Sequence, residues 1–296
     1  MTSPEIPVHV SGGSDIDVGT AVARLYDLTH HLRVHCPWDI AQTAGTIVPH
    51  TLEETYEVVD VVRAIERGDV DVSDADLEDE LGDLLFQVSF LAMWLEERDS
   101  SIDLGTVATR IHEKLVRRHP HVFGDEVAAG TADEVRGAWE QVKREREQRG
   151  LFEGIPRAMP ALGRARKIQS RAAGVGFEFD DAMHALEALE SEVRELRLEL
   201  ERAAAAGTLP TGESTPPDAR VESELGDVFV SAVNVARMTR VDPELATSDA
   251  IDRFRARLEQ AMLLASTEGS DWTTLPLDAQ EAYYQRAKAV LTPRQP

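Results

Sequence analysis

Glu53, Glu54 and Glu57 stand within five consecutive residues, and Glu80 and Asp83 follow further along. Residues three and four apart share one face of an α-helix. Glu54 and Glu57, like Glu53 and Glu57, therefore project to one side, and Glu80 with Asp83 shares a face on the next long helix. Carboxylates converging between two helices repel one another unless a cation joins them. Hard oxygen donors of this kind suit Mg²⁺ or Mn²⁺, with waters and phosphate oxygens completing an octahedron. In a chain with 54 acidic residues, such clusters also arise as solvated faces. Two features favour a site: these acids abut the most apolar helix of the chain, and the arrangement recurs in the second half.

The elements that must position these groups are helices. Apolar residues follow helical spacing, strict alternation is nearly absent, and an all-α fold is expected. A first helix is expected from Asp15 or Asp17 to about Val34, with Val22, Leu25, Leu28 and Leu32 as its apolar stripe, followed by a loop from His35 to His50. Thr51 with Glu54 reads as a capping box opening the helix that carries the first acids, which ends near Gly68. The next helix runs roughly from Leu77 to Glu97. It has one stripe of Leu81, Leu84, Leu85, Val88, Leu91, Ala92 and Leu95, and Phe86, Phe90, Met93 and Trp94 on its other side. A helix apolar all round needs cover on all sides, which predicts a bundle or a homodimer interface that includes Phe86, Phe90 and Trp94. Further helices are expected at Leu104–Arg118, Asp133–Arg149, Leu162–Ala173, Met183–Ala206, Glu222–Arg240 and Ser248–Ala265. The stretch 150–160, with two glycines and two prolines, reads as a linker. The expected organisation is a flexible tail over 1–15, one domain over 16–149, the linker, and a second domain over 161–296.

An internal repeat supports two related halves. Glu80-Leu81-Gly82-Asp83 returns as Glu224-Leu225-Gly226-Asp227, each opening an apolar helix, preceded by an acidic helix and followed by a basic one. Trp139 with Lys143 has a counterpart in Tyr284 with Lys288.

Composition narrows the partners. The formal charge of −23 disfavours a long nucleic acid, although a bound divalent cation can reverse the local sign for a nucleotide. Cys36 is the only cysteine, so neither an intrachain disulfide nor a cysteine zinc cluster can form. That suits a reducing, cytoplasmic setting. The longest uncharged apolar run, Leu84–Leu95, is too short to span a bilayer, and the first 15 residues lack the apolar core of a signal peptide.

Cys36-Pro37-Trp38-Asp39, Gln42-Thr43, Leu52-Glu53-Glu54-Thr55-Tyr56-Glu57, Glu80-Leu81-Gly82-Asp83-Leu84-Leu85-Phe86, and Lys114 with Arg117-Arg118-His119-Pro120-His121-Val122-Phe123 together resemble the MazG family. Its signature is EExxE followed, after a variable loop, by ExxD; here 22 residues (58–79) separate the two parts. The similarity runs from about residue 16 to the end, as two tandem MazG-like domains. The resemblance implies all-α domains that dimerise into four-helix active sites. It also implies Mg²⁺-dependent cleavage of nucleoside triphosphates between the α- and β-phosphates, for pool control or house-cleaning. Carried over, Glu54, Glu57, Glu80 and Asp83 are metal ligands, and Glu53 orients or deprotonates water. Lys114, Arg118 and Lys143 neutralise the triphosphate, and Trp139 lies against base or sugar. In the second half, Glu192, Glu195, Glu224 and Asp227 match the ligands. Arg253, Arg257 and Lys288 match the phosphate contacts, and Tyr284 the aromatic. Ser191 stands where the first glutamate of the motif belongs, and the loop to ExxD is longer, 28 residues (196–223).

Other signals are weaker. Trp38 either contacts substrate or anchors its loop. Cys36 reads as a packed loop thiol, and His119 and His121 as fixing a turn around Pro120. Arg164, Arg166, Lys167 and Arg171 either reach phosphates or form a solvated face. A di-iron bundle is excluded because no Glu-x-x-His occurs, and a His-Asp phosphohydrolase because no adjacent His-Asp pair occurs. The alternative outside catalysis is a helical regulatory protein with a degenerate nucleotide site.

Overall fold

The computed structural model describes residues 17–123, 150–210, 212 and 216–291. The fold is all-α, with no strand among those residues. No helix among them is long and apolar enough to cross a membrane. The chain divides into two compact units, residues 1–139 and 140–296.

The first unit contains α1 (Val18–His35), α2 (Pro37–Ala41), α3 (Ala44–Arg67), α4 (Asp74–Glu96), α5 (Leu104–Arg118) and the single turn α6 (Pro120–Phe123). Short polar residues set the starts. The Asp17 carboxylate accepts from Thr20 N, Ser73 and Asp76 form a capping box for α4, and Asp103 and Thr106 do so for α5. Gly68 closes α3 at φ 75°, in the left-handed region where a side chain would be strained.

α3 begins seven residues before the expected capping box. Thr43 and Thr46 form the box instead, and Thr51 lies inside the helix, its hydroxyl donating back to Ile47 O at 3.2 Å. Pro49 made this stretch read as a loop. It sits in the second turn, where its missing N–H forfeits one bond to the carbonyl of Gly45. The fully buried Ile47 supplies the compensation, packing with Phe90 and Met93 against Tyr26, Phe86 and Leu91. Burial of one such side chain contributes about 1.5–3 kcal/mol.

α4 packs on both α3 and α1, and these two neighbours decide which of its apolar faces is internal. Phe90, Met93, Ala92, Ser89 and Gln87 are buried, whereas Leu81, Leu85, Val88 and Leu95 are exposed. This corrects one residue of the expected interface: Phe90 is fully buried and cannot reach a second subunit, whereas Phe86, packed on the same core, and Trp94, under Arg98, are only partly buried. On α1 the internal position is Thr29, whose hydroxyl bonds back to Leu25 O, and Leu28 is half exposed.

The second unit contains α7 (Ala161–Ala173), α8 (Ala182–Ala206), α9 (Ala219–Met238), α10 (Pro243–Thr267), a 3₁₀ turn (Trp272–Thr274) and α11 (Leu277–Leu291). α9 packs mainly on α8 and also on α7, while α10 pairs with α11. Small residues allow these close approaches: Ala185, Ala203, Ala261, Ala265 and Ala287 are fully buried. α10 starts a turn and a half earlier than its apolar pattern suggests, because Asp242 caps it and Pro243 occupies the first position. The segment 150–160 is tied to this unit by Arg171, which donates to Leu151 O at 2.9 Å and Glu153 O at 2.7 Å.

Candidate active site

The pairing of α3 with α4 brings three of the predicted acids together. Carboxylate oxygens of Glu54, Glu57 and Glu80 all lie within 4.8 Å of one another. Burial, a hydrogen bond to Glu57 and the charges of Glu57, Asp83 and Glu80 push the Glu54 carboxyl above its ordinary range. Glu80 moves the same way, by desolvation and then by the charges of Glu57 and Asp83. Asp83 acts on both through its charge but is not one of the trio. Oxygens around one Mg²⁺ sit roughly 3–4 Å apart, as octahedral coordination at about 2.1 Å requires, so small rotamer changes would fit the trio to the ion. Oxygen-only donors and carboxyls raised by desolvation and then by one another's charge both match a hard dication.

The second unit repeats the arrangement on α8 and α9 with a different membership. Glu192, Glu224 and Asp227 form the trio within 4.8 Å. Glu192 is raised by burial and by the charges of Glu195, Asp227 and Glu224. Glu195 stays outside the trio and accepts from the Ser191 hydroxyl at 3.2 Å.

Glu53 does not join its neighbours. Its carboxylate is 65% exposed and lies 3.0 Å from His50 Nδ1. The His50 ring in turn meets Trp38 edge-on, with centroids 5.7 Å apart. His50 was not singled out in the sequence, although its position three residues before Glu53 on a helix is a readable signal. Trp38 is about half exposed on α2.

The basic residues stand on other helices. Lys114 and Arg118 are four apart on α5, both partly buried, and α5 packs on α4. Arg253 and Arg257 lie on α10, and Tyr284 and Lys288 on α11. Phe254 and Tyr284 approach to 5.8 Å between rings. Neither α10 nor α11 packs extensively against the acidic helix α8 within the described residues. Trp139 and Lys143 lie outside the described residues. Three of the four basic residues on α7 contact the scaffold: Arg164 donates to Arg157 O, Arg166 pairs with Asp242, and Arg171 holds the backbone at Leu151 and Glu153. His119 caps α5, its Nδ1 2.6 Å from Leu115 O.

A cleft of about 420 Å³ opens beside α9, lined by Phe152, Ile168, Phe177, Phe179, Asn234 and Arg237. Arg237 makes a two-pronged pair with Glu178 at 2.6 and 2.5 Å. Asn234 is seven residues beyond Asp227 on the same face of α9, roughly 10 Å along the axis at 1.5 Å per residue.

Residues 42–123 match the family model described as the MazG nucleotide pyrophosphohydrolase domain. The nucleoside triphosphate pyrophosphohydrolase of Escherichia coli (strain K12) is 38% identical over 86% of this chain and 90% of its own length. The nucleoside triphosphate pyrophosphohydrolase/pyrophosphatase MazG of Thermotoga maritima is 32% identical over 86% of this chain and 89% of its own. A Mycobacterium tuberculosis protein named nucleoside triphosphate pyrophosphohydrolase is 35% identical over 49% of this chain and 42% of its own. The first two alignments, of 257 and 256 residues, must enter both units, so the likeness is not confined to the stretch that matches the family model. With paired acidic helices in each unit and two such relatives matched over nine-tenths of their length, the chain belongs to the MazG nucleotide pyrophosphohydrolase family.

Proposed function

We propose that this protein hydrolyses nucleoside triphosphates to the monophosphate and pyrophosphate with Mg²⁺, or Mn²⁺ in its place. The carrying observation is the Glu54–Glu57–Glu80 trio with its raised carboxyls, repeated as Glu192–Glu224–Asp227. When bound there, a divalent ion supplies charge for a phosphoryl oxygen and for the attacking water. Glu54, Glu57 and Glu80 hold it, with Asp83 one turn away. Glu53, outside the trio and oriented by His50, takes the proton of the water. A bond forms between the water oxygen and the α-phosphorus, the bond to the bridging oxygen of the β-phosphate breaks, and pyrophosphate leaves. Lys114 and Arg118, with Lys143, meet the phosphates, and Trp38 and Trp139 meet the nucleoside. In the second unit the cleft beside α9 takes the nucleoside, and Arg253, Arg257 and Lys288, with Tyr284, are the groups on α10 and α11 that would meet the triphosphate.

The catalytic form is a homodimer. Leu81, Leu85, Val88 and Leu95 on α4, with Val48, Leu52 and Tyr56 on α3, present an open apolar surface beside the acids. A second copy covering it would complete four helices around each site. The reading places the enzyme in the cytoplasm, where the nucleotide pool is.

The test is pyrophosphate release from mixed nucleoside triphosphates with Mg²⁺, with and without EDTA. Metal-dependent pyrophosphate with the monophosphate is expected. Orthophosphate with the diphosphate would assign the wrong bond, and no turnover would favour a regulatory protein.

A further inference from the structure

α2 has five residues, too few for its own carbonyls to be satisfied by helical hydrogen bonds, and it carries Trp38. Three of its carbonyls, those of Trp38, Asp39 and Ile40, nevertheless find partners beyond the helical pattern. Trp38 O accepts from the Gln42 side chain at 3.0 Å, and Asp39 O from Gln42 N at 3.2 Å. The rest of the demand falls on one side chain. Arg33 Nη1, from the last turn of α1, donates to Asp39 O at 2.6 Å, Gln42 O at 2.9 Å and Ile40 O at 3.3 Å.

The opposite edge of the same guanidinium is fixed to the end of α4. Nε and Nη2 form a two-pronged pair with Glu97 at 2.6 and 3.0 Å, just past the end of α4. The guanidinium carbon lies 5.7 Å from the ring centre of the fully buried Phe90. A planar group held on one edge by a carboxylate and stacked near a core ring cannot drift, so the carbonyls on its other edge cannot either.

We propose that Arg33 is a positioning residue for Trp38: it holds α2 so that the indole meets His50 beside the first acidic cluster and is set for the nucleoside. This rests on the reading of Trp38 as a substrate contact. Arg33 itself touches neither the acids nor the substrate. A lysine at this position would keep the charge, but one ammonium cannot serve three carbonyls and a carboxylate in a common plane.

The experiment is a double-mutant cycle in the full chain, with the second site silenced by Glu192→Ala and Glu224→Ala. The probe is an α,β-methylene nucleoside triphosphate with Mg²⁺, followed by calorimetry. Trp38→Ala is expected to weaken binding roughly ten-fold or more, the scale of one lost base–aromatic stack. Arg33→Lys and Arg33→Gln should weaken it comparably, and the double variant Arg33→Lys/Trp38→Ala should bind no worse than Trp38→Ala alone. Glu97→Gln, which loosens the carboxylate's hold on the guanidinium but keeps the donors to the three carbonyls, should weaken binding by less than Arg33→Lys does. The indole N–H resonance of Trp38, assigned by its loss in Trp38→Phe, should move in Arg33→Lys. Additive losses, or an unmoved resonance with parental affinity in Arg33→Lys, would overturn the inference. Parental affinity in Trp38→Ala would instead remove Trp38 from the substrate site, and the inference with it. Should Arg33→Gln fail to fold, the Arg33→Lys arm decides alone.

Discussion

Ser191 donates its hydroxyl hydrogen to Glu195 Oε1 at 3.2 Å. At the corresponding place in the first unit, Glu53 turns to His50 and leaves Glu57 free to join Glu54 and Glu80. One substitution thus accompanies two changes. The second unit has no carboxylate at the place that matches Glu53, and its Glu195 is engaged outside the acidic trio.

The two units should therefore contribute unequally. Losing a catalytic proton acceptor costs about 10²–10⁴-fold in rate. Glu57→Ala should remove most pyrophosphate release, and Glu195→Ala should leave most of it. Ser191→Glu in the Glu57→Ala background should raise the residual rate. Loss of activity in Glu195→Ala with retention in Glu57→Ala would make the second unit the working one.

Metal binding should be visible as stability. The trio is held together against its own repulsion, so Mg²⁺ should raise Tm, and the rise should grow with the logarithm of its concentration above Kd. Glu54→Gln with Glu80→Gln removes part of that repulsion. This pair should melt at or above the metal-free parent, yet show little further rise when Mg²⁺ is added. Equal Mg²⁺ shifts in parent and variant would place the ion elsewhere.

The open face of α4 should hold two copies together. Leu81→Glu with Leu85→Glu puts two charges on that face and should halve the mass seen by light scattering. Phe90→Ala should act differently, costing about 3–5 kcal/mol in urea unfolding, because it empties a packed core position. A parent that is already monomeric at micromolar concentration would sink the proposed dimer.

Asp218 ties the start of α9 to Arg202 at 2.7 Å and Thr208 at 2.7 Å while capping the helix. The Thr208 hydroxyl and the Arg202 guanidinium hold its carboxyl far below the ordinary carboxylate range. A depressed folded pKa contributes stability above the unfolded value and loses it as pH falls through the folded one. Asp218→Asn should lower Tm by about 2–4 °C at pH 7, the scale of one cap in a domain of this size. Melts near pH 3 should show a smaller gap between parent and variant. A gap that stays constant with pH would mean that charge is not the cause.

Helical spacing alone determined that Glu54 and Glu57, and Glu80 and Asp83, share faces, and the repeated Glu-Leu-Gly-Asp pointed to a second copy on α8 and α9. Spacing sets the angle of a side chain about its own helix and nothing more. Tertiary structure decided which oxygens meet, because that depends on how far one helix is shifted along its neighbour and on rotamers. Asp83 therefore falls outside one trio and Glu195 outside the other. The same limit explains α4, whose sequence is apolar on two sides; only the placement of α1 and α3 selects Phe90 and Met93 for burial and leaves Leu81 and Leu85 open. Pro49 misled the local reading because the contacts that compensate for it come from α4, some forty residues away. Arg33 carries no periodic signal at all. Its partners are backbone carbonyls and a glutamate 64 residues on, and these come together only in the folded chain.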